Sequence, residues 1–440
     1  MRTVVAFEQR GTRTLVKLAV CPVTIPDLGK LKYTTLPAVP DDRPPSLADY
    51  GEALRALLAK HRPVARGLDN AFAQKIGTAS PLYFHMVSTP ADAVPWEQLH
   101  NGERFCALDG RWPIGRIARI EQDVEPRGFV PPLRIVAVLS AAERDGLTQL
   151  AGLVRAATTL DARELGVHLH VISAQKELLE AARAAEREEA YLRADGQTDR
   201  PVITVQALPG NEQDLSSCIT AARPHILHLL GHGGIRANEP VFSLLTKADY
   251  AAQKAGEPVG MGSLVLPAQS LVRILKPCAP WLVVLSGCQT AAAVETRALA
   301  HELVSLGIPA AVGMRRKVVL SVADRFCRAL YPAVVSLVLA AVHDGEMPVI
   351  DWASALTPPR LALAGADPER ADAWTDPVLY VQHNPFRVFP TSSRKVELTG
   401  YLRFWLEYRD NLPDTTDPRV MDYVETRIVQ TRELISEDSP

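Results

Sequence analysis

The chain has 440 residues, of which 47% are hydrophobic and 22% are charged, and its formal net charge at pH 7 is −2. This balance is typical of a folded globular protein and excludes a fully disordered or collagen-like chain. A dedicated nucleic-acid-binding protein would carry a basic excess, so we expect no nucleic-acid partner.

No apolar run in the sequence approaches the ~18 residues that a bilayer-spanning helix needs. The N-terminal segment carries charges every few residues and has no signal-peptide core. Both observations lead us to expect a cytoplasmic protein without a membrane partner.

The predicted elements fall into three parts along the chain. Residues 1–130 are the least regular part, with one clear helix over 47–61 and an apolar segment at 81–89. Beyond residue 384, the stretches 401–412 and 418–435 have the apolar spacing of amphipathic helices.

Between these two parts, strands and helices alternate. Short apolar runs rich in β-branched residues predict strands, and a period near 3.6 predicts helices. Strands are predicted at 134–140, 167–173, 202–208, 225–230, 281–286 and 308–314. Helices are predicted at 147–160, 177–195, 214–224 (with Asp214 as its cap), 298–307 and 322–342 (interrupted by Pro332). The alternation is typical of a parallel sheet with helices on both faces, in which ligands bind beyond the carboxyl ends of the strands.

Two of these strands end in a reactive side chain flanked by glycines. The strand at 225–230 runs into Gly231-His232-Gly233-Gly234, and the strand at 281–286 runs into Gly287-Cys288-Gln289-Thr290. In a parallel sheet both ends face the same crevice. A lone cysteine or histidine would more often be an ordinary core or loop residue, so the shared position carries the prediction.

A cysteine and a histidine in one crevice are the minimum set for thiol catalysis. The thiolate is the nucleophile, and an imidazole takes its proton and later delivers it to the leaving amine. The oxyanion would be held by the backbone N–H groups of Cys288 and Gly233. His232 precedes Cys288 by 56 residues, which is similar to the spacing of about 50 residues in caspases.

The sequence resembles the CHAT family of caspase-like cysteine peptidases. Residues 228–233 match its H-x-x-G-H-G motif, and residues 285–290 match its L-S-[AG]-C-[QE]-T motif. Further matches are the P-W-E-x-L segment at 95–99, the stretch 299–314, and Trp374 with the strand at 377–381. The resemblance extends over roughly residues 75–383.

The resemblance implies a role for each matching residue. Cys288 would be the nucleophile and His232 the general base and acid, with Gly233 and Cys288 forming the oxyanion site. Residues that would support them are His228, Gly231, Ser286 and Gly287. The remaining histidines and cysteines that we weighed are predicted to be structural, namely His168, His170, His225, Cys106, Cys218, Cys278 and Cys327.

The implied fold is α/β, a caspase-like parallel-sheet sandwich with helices on both faces. Residues 1–130 would be the N-terminal, pseudo-caspase half of the CHAT unit, residues 131–383 its catalytic part, and residues 384–440 a helical extension. The resemblance implies protein substrates and no cofactor. The sequence has no CxxC pair or metal-ligand spacing, so we also expect no metal and no disulfide framework.

The charges predicted near the substrate pocket conflict. Arg315 and Arg316 follow the strand at 308–314, where they would favour an acidic residue before the scissile bond (P1). Glu143 and Asp145 follow the strand at 134–140, where they would favour a basic one. Either pair would also suit a solvated loop, so P1 stays open.

The resemblance implies that a separate protein, either a protease or a sensor, switches the enzyme on. Many relatives act in bacterial defence, including type III CRISPR systems, which suggests the same setting. The charged stretch 186–201 reads as an insertion that could be cut near Arg193 or Arg200, or as an ordinary helix and loop. The segment after Gly345 is expected to lack the family's arginine-bearing helix.

Three other functions fit the sequence less well. A catalytically silent CHAT scaffold that binds a partner protein is the main alternative. An α/β-hydrolase is disfavoured because the sequence has no GxSxG nucleophile elbow. A nucleotide-binding protein is disfavoured because this sequence has no GxxxxGK[ST] phosphate-binding loop.

Overall fold

A sheet of twelve strands runs through the centre of the molecule. The computed structural model of the protein describes residues 2–39, 44–75, 77–86, 89–118, 125–141, 146–292, 298–343, 348–390, 393–413 and 416–437. Its strands are β1 (Thr3–Arg10), β2 (Arg13–Val20), β3 (Lys32–Thr34), β4 (Leu82–Met86), β5 (Ile114–Ala118), β6 (Arg127–Phe129), β7 (Arg134–Leu139), β8 (His168–Ser173), β9 (Val202–Ala207), β10 (Ile226–Leu230), β11 (His232–Arg236), β12 (Glu239–Leu244), β13 (Leu264–Pro267), β14 (Leu282–Ser286), β15 (Ala310–Met314), β16 (Val349–Ile350), β17 (Pro377–Val381) and β18 (Phe386–Pro390).

The α-helices pack around this sheet or follow it. They are α1 (Leu47–Ala59), α2 (Arg62–Phe72), α3 (Thr89–Ala93), α4 (Leu147–Ala157), α5 (Leu160–Leu165), α6 (Lys176–Ala194), α7 (Glu212–Ala222), α8 (Lys247–Lys254), α9 (Ala268–Leu275), α10 (Leu299–Ser305), α11 (Leu320–His343), α12 (Thr357–Ala364), α13 (Ser393–Asp410) and α14 (Pro418–Glu437).

The central sheet is mostly parallel. Its strand order is β3-β2-β1-β4-β5-β17-β15-β14-β10-β7-β8-β9. The pairs β1–β2, β2–β3 and β15–β17 are antiparallel, and the other neighbours are parallel. Side chains of β7 alternate between two apolar cores, with Ile135 and Ala137 in one and Val136 and Val138 in the other. The predicted α/β class, with a large parallel sheet between helical layers, is confirmed.

The strands predicted between residues 131 and 383 are all present, but three helix details were wrong. The predicted helix over 147–160 divides into α4 and α5, because the Thr159 side chain caps a new helix. Asn211, not Asp214, caps α7, and its side chain accepts the Asp214 N–H at 2.9 Å. α11 continues through Pro332, and the nearby side chains of Tyr331 and Val334 are fully buried.

α11 is also, within the described ranges, the one helix long and apolar enough to suit a membrane span by length and composition. It packs against α4 and α12. Val334, Val335 and Val338 on its buried side are fully covered. Core packing therefore accounts for its apolar composition.

A buried ion-pair network joins the N-terminal strands to the rest of the sheet. Arg116 of β5 donates to Oε1 and Oε2 of Glu97 at 3.0 and 2.6 Å, and to Oδ1 of Asp92 at 3.0 Å. Tyr380, its register partner on β17, donates to the same Asp92 oxygen at 2.9 Å. Burial alone would raise the pKa of Glu97, but the Arg116 guanidinium holds it below the usual range. This network gives the P-W-E segment a structural role.

Two smaller sheets flank the central one. β11, β12 and β13 form an antiparallel sheet directly after β10, and β16, β18 and β6 form the other. The first was not predicted from the sequence, because its strands are short and rich in glycine and proline. It adjoins the carboxyl ends of β10 and β14, so it bears on the candidate site.

The helical extension predicted after residue 384 is present as α13 and α14. The two helices pack on each other, with the rings of Trp405 and Tyr423 5.9 Å apart. Val424 and Ile428 of α14 are buried.

Candidate active site

β10 and β14 are adjacent parallel strands that end at the same level. Leu230, the last residue of β10, is the register partner of Ser286, the last residue of β14. The segments that follow therefore leave the sheet side by side. We call residues 231–234 the histidine segment and residues 287–291 the cysteine turn.

The histidine segment and the cysteine turn touch through their backbones. A β-carbon placed on Gly233 would lie 2.1 Å from the carbonyl oxygen of Cys288 and 2.7 Å from the Thr290 methyl carbon. One placed on Gly287 would lie 3.1 Å from the Gly233 nitrogen. Only glycine permits this approach. The glycines thus allow the backbones of the two segments to approach each other closely.

A buried aromatic ring lies against both segments. Phe242 of β12 is fully buried. Its ring atoms would lie 2.6 Å from a β-carbon on Gly231 and 2.8 Å from one on Gly287. The sheet of β11, β12 and β13 therefore packs against the histidine segment and the cysteine turn and holds them at a fixed spacing. No pattern in the sequence pointed to this residue.

Hydrogen bonds hold the cysteine turn against the end of β15. The Met314 N–H donates to the Thr290 hydroxyl oxygen at 2.8 Å, and the Ala291 N–H donates to the Met314 carbonyl at 2.9 Å. Gln289 has a φ of 56°, in the left-handed region, and its N–H donates to the Arg316 carbonyl at 3.2 Å. The Thr290 hydroxyl can donate in turn to the carbonyls of Leu285 or Gly287.

The two reactive side chains are both half-buried. Cys288 Sγ lies 3.7 Å from the Val318 carbonyl oxygen, at the approach to α11. His232 is the first residue of β11 and pairs in register with Ser243 of β12. The structure brings together the segments that the sequence predicted to meet.

A comparison with protein families decides which family the chain is in. The profile of the CHAT domain matches residues 50–341, which include both motifs. The chain belongs to the CHAT-domain family. The matched region begins before the roughly 75–383 predicted from the sequence and ends before β17.

Comparisons with individual proteins add less about this CHAT domain. None of the curated proteins compared with the chain matches it. Two solved structures of the Saccharomyces cerevisiae separase–securin complex, at 2.6 and 3.0 Å resolution, align with a TM-score of 0.33 and 12% identity. The alignments cover 75% and 74% of this chain, and this chain spans 17% of the length of the solved chains.

His228, the first histidine of the CHAT motif, lies beneath the site. It is fully buried, and its Nε2 lies 2.9 Å from Oε1 of Gln149 on α4. Its ring meets the edge of Tyr331 at 5.6 Å. Burial lowers the pKa of His228 to about 3, so the ring is neutral near pH 7. This geometry suits the supporting role implied by the resemblance.

The histidines predicted to be structural lie in strand contacts. His225 packs on Trp281 at 4.4 Å, and its Nδ1 accepts the Arg134 N–H at 3.0 Å. His168 and His170 both approach the Thr204 hydroxyl of β9. None of these contacts leads to the cysteine turn.

None of the other cysteines predicted to be structural belongs to the cysteine turn. Cys327 of α11 lies beneath the site, with its Sγ 3.6 Å from Oε1 of Gln149, the partner of His228. Cys106 and Cys327 are fully buried, and burial raises the pKa of each thiol. Burial also raises the pKa of Cys278, to about 12. Cys218 accepts a hydrogen bond from the Gln206 side-chain amide.

Arg315 and Arg316, predicted near the substrate pocket, make structural contacts. Arg316 donates to both carboxylate oxygens of Asp376 at 2.6 and 3.1 Å and to Asp372 Oδ2 at 2.6 Å. Arg315 donates to the Thr375 hydroxyl at 2.8 Å. The Arg316 charge is thus already compensated, which weakens the case for an acidic P1 residue. Glu143 and Asp145 lie outside the described residues, so P1 stays open.

The stretch proposed as an activation insertion is mostly helix. α6 continues to Ala194, so Arg193 lies in its last turn. Arg200 closes the following loop by a bidentate ion pair with Glu189, at 2.7 and 2.5 Å. The side chains are 13% and 5% exposed. This geometry favours the reading as an ordinary helix and loop.

The expectation about the segment after Gly345 was wrong. α12 carries Arg360, which is fully buried and donates to the carbonyls of Ile114 and Pro377 at 3.1 and 2.9 Å. Among the described residues, no group of three or more His, Cys, Asp or Glu side chains is arranged to hold a metal ion.

Proposed function

We propose that this CHAT domain is a cysteine endopeptidase that cleaves specific proteins by a Cys288–His232 dyad. The observation that supports it is the direct contact between the histidine segment and the cysteine turn. Adjacent parallel strands, a buried ring and three close glycine contacts all hold this arrangement in place. Such preorganisation is what a nucleophile and its base require.

In the proposed reaction, His232 takes the thiol proton of Cys288. The thiolate attacks the scissile carbonyl, forming a C–S bond and an oxyanion. Collapse breaks the C–N bond, and His232 delivers the proton to the leaving amine. Water then hydrolyses the thioester, releasing a carboxylic acid and restoring the thiol.

Two backbone N–H groups are proposed to hold the oxyanion, those of Cys288 and Gly233. The Gly233 nitrogen lies beside Gly287, the residue that precedes the nucleophile. Donors in a fixed backbone need no reorganisation as charge develops, and losing one typically costs about 10²–10³-fold in rate.

We also propose that a separate protein switches this peptidase on, as an effector in a bacterial defence pathway such as type III CRISPR. This part rests on the family resemblance. The proposal places the protein in the cytoplasm, with protein substrates and no nucleic-acid or membrane partner. Chain cleavage as the activation step is disfavoured, because both candidate arginines lie in ordered structure.

The test is co-expression of the full chain with each neighbouring gene product, read by intact mass. We expect one neighbour to be cleaved by the wild type and by Cys278→Ala, a control that removes a different half-buried thiol. Cys288→Ala and His232→Ala should leave that neighbour uncut. Stable binding of a neighbour without cleavage by any variant would instead favour the silent scaffold.

A further inference from the structure

Residues 315–319 join β15 to α11 and pass beside the cysteine turn. We call this segment the strap. The Gln289 N–H donates to the Arg316 carbonyl at 3.2 Å, and the thiol of Cys288 donates to the Val318 carbonyl at 3.7 Å. The strap therefore contacts both the candidate nucleophile and the residue that follows it.

These contacts continue a short hydrogen-bond ladder that begins at the end of β15. The Ala291 N–H donates to the Met314 carbonyl, and the Gln289 N–H donates to the Arg316 carbonyl. The donors step back along the chain as the acceptors advance, which is the progression of an antiparallel pair. The place of the cysteine turn therefore depends on the place of the strap.

The Arg316 side chain anchors the strap to the segment before β17. Its guanidinium donates to both carboxylate oxygens of Asp376 at 2.6 and 3.1 Å, and to Asp372 Oδ2 at 2.6 Å. A bidentate guanidinium–carboxylate pair fixes direction as well as distance. Arg316 thus bonds to the cysteine turn through its carbonyl and to the segment before β17 through its side chain.

The other side chains of the strap hold it less firmly. Lys317 is exposed, and the side chain of Val319 is 65% exposed. Arg315 donates to the Thr375 hydroxyl, a neutral partner, at 2.8 Å. Charge-assisted hydrogen bonds are stronger than those to neutral groups, so the ion pairs of Arg316 are the main anchor of the strap.

We propose that Arg316 is a positioning residue for the nucleophile, because its ion pairs hold the strap and the strap sets the place of the Cys288 sulfur. This inference rests on the proposed peptidase function. Rotation about the Cβ–Sγ bond releases the thiol proton from the Val318 carbonyl for transfer to His232 and leaves the sulfur in place. A sulfur that is already in place can attack the scissile carbonyl without a further search.

The kinetic test uses the full chain and the substrate found by co-expression. Arg316→Gln removes the ion pairs and should lower kcat by about 10- to 100-fold, since a displacement of about 1 Å at a reacting atom has that scale of effect. KM should stay within about twofold, because the strap is not proposed to bind substrate. Arg316→Lys keeps the charge without the two-pronged geometry and should recover part of kcat.

The matched control removes an arginine–carboxylate pair at a different place. Arg273 donates to Glu212 Oε1 at 3.1 and 2.5 Å, and its side chain is 72% exposed. Arg273→Gln should keep the kcat and KM of the wild type.

Alkylation by iodoacetamide gives a second readout that needs no turnover. The cysteine sulfur displaces iodide, so a C–S bond forms, the C–I bond breaks and the thiol proton passes to the buffer. In Arg316→Gln, the half-buried Cys288 should react about tenfold faster, because the loosened strap opens locally. Cys106 and Cys327 are fully buried and should stay unmodified. Peptide mapping by mass spectrometry measures each thiol separately.

Three results would overturn the proposal. Alkylation of Cys327 together with Cys288 in Arg316→Gln would make Arg316 an ordinary stabilising residue. A raised KM or a changed P1 preference at unchanged kcat would return Arg316 to the substrate pocket. A wild-type rate in both assays would show that the anchor does not act on the nucleophile.

The two assays also separate this proposal from the proposed function. Faster alkylation of Cys288 alone in Arg316→Gln, without Cys288-dependent cleavage of any neighbour by the wild type, would retain the anchored strap and reject the peptidase. Cleavage that Arg316→Gln leaves unchanged would retain the peptidase and reject the positioning role.

Discussion

Gly233 and Cys288 are in direct backbone contact across the two proposed catalytic segments. A β-carbon on Gly233 would lie 2.1 Å from the Cys288 carbonyl oxygen, a separation that packed atoms do not tolerate. The obstacle is backbone, which cannot rotate away as a flexible side chain would. Any side chain at Gly233 must therefore push the histidine segment and the cysteine turn apart.

Gly233→Ala should lower peptidase activity by about 100-fold or more, because a displacement near 1 Å at a reacting centre has that scale of effect. Cleavage of the substrate found by co-expression provides the measurement. Gly210→Ala is the matched control, since a β-carbon there meets nothing within 4 Å. Full activity of Gly233→Ala would show that the contact is not required for catalysis.

Thr290 links the cysteine turn to β15 through its buried hydroxyl. Thr290→Val keeps the shape but leaves the Met314 N–H unsatisfied, which should lower the free energy of unfolding by about 1–3 kcal/mol. Thr290→Ser retains the hydroxyl and should recover part of that loss. Urea denaturation of the wild type, Thr290→Val and Thr290→Ser measures the free energy of unfolding of each. A Thr290→Val variant as stable as the wild type would contradict the assigned hydrogen bond.

The part of the fold between residues 131 and 383 was predictable because its signals are local. β10 and β14 are continuous runs that are buried on both faces, and a glycine follows each strand directly. The two motifs also follow adjacent strands, so a parallel sheet alone predicts that they meet. The resemblance to the CHAT family then indicated thiol catalysis by Cys288 and His232.

The parts that were missed depend on long-range contacts. β1 was interpreted as part of an irregular charged segment, although five of its eight residues are buried, and it pairs in parallel with β4, 79 residues later. Phe242 contacts both the histidine segment and the cysteine turn only because β12 folds back along β11 at the ends of β10 and β14. The Arg316 charge looked available for substrate until Asp372 and Asp376, more than 50 residues later, were seen to pair with it.

Glu97 compensates the fully buried Arg116. Glu97→Gln removes that charge and leaves the guanidinium with less compensation in the core. The free energy of unfolding should fall by about 3–5 kcal/mol, the usual cost of breaking a buried pair. Glu103→Gln, at an exposed pair 3.9 Å long with Arg104, should change it by less than about 1 kcal/mol. Unfolding curves in guanidinium chloride measure the free energy of unfolding of each variant. Similar losses for Glu97→Gln and Glu103→Gln would contradict a stabilising role of the buried network.

His228 should make the fold sensitive to mild acid. Its pKa is about 3 in the folded chain, against an ordinary value of 6.5. Above pH 6.5 the ring is neutral in both states, and below it the unfolded chain binds the proton first. Stability is therefore lost as the pH falls from 6.5 towards 3, by up to about 1.4 kcal/mol per pH unit.

His228→Asn removes the titrating ring, so it removes the contribution of His228 to the pH dependence of stability. This holds whatever effect the substitution has on stability at pH 7.5. Between pH 6.5 and pH 5 the wild type should lose up to about 2 kcal/mol more than the variant. Urea midpoints at several pH values give both slopes. Parallel slopes for the two proteins would mean that His228 titrates normally in the folded state.

Arg200 and Glu189 decide whether the loop after α6 can serve as an activation site. Their bidentate pair holds the loop to the helix, so trypsin should cut the native chain slowly after Arg193, whereas the bond after Arg200 precedes Pro201 and is not a trypsin site. Glu189→Ala should raise the rate after Arg193 by about tenfold, because cleavage needs local opening that the pair opposes. Glu188→Ala, its exposed neighbour on α6, is the control. Mass spectrometry of limited digests gives the rates. Rapid cutting of the wild type after Arg193, together with a gain in peptidase activity, would restore chain cleavage as the switch and displace the separate activator.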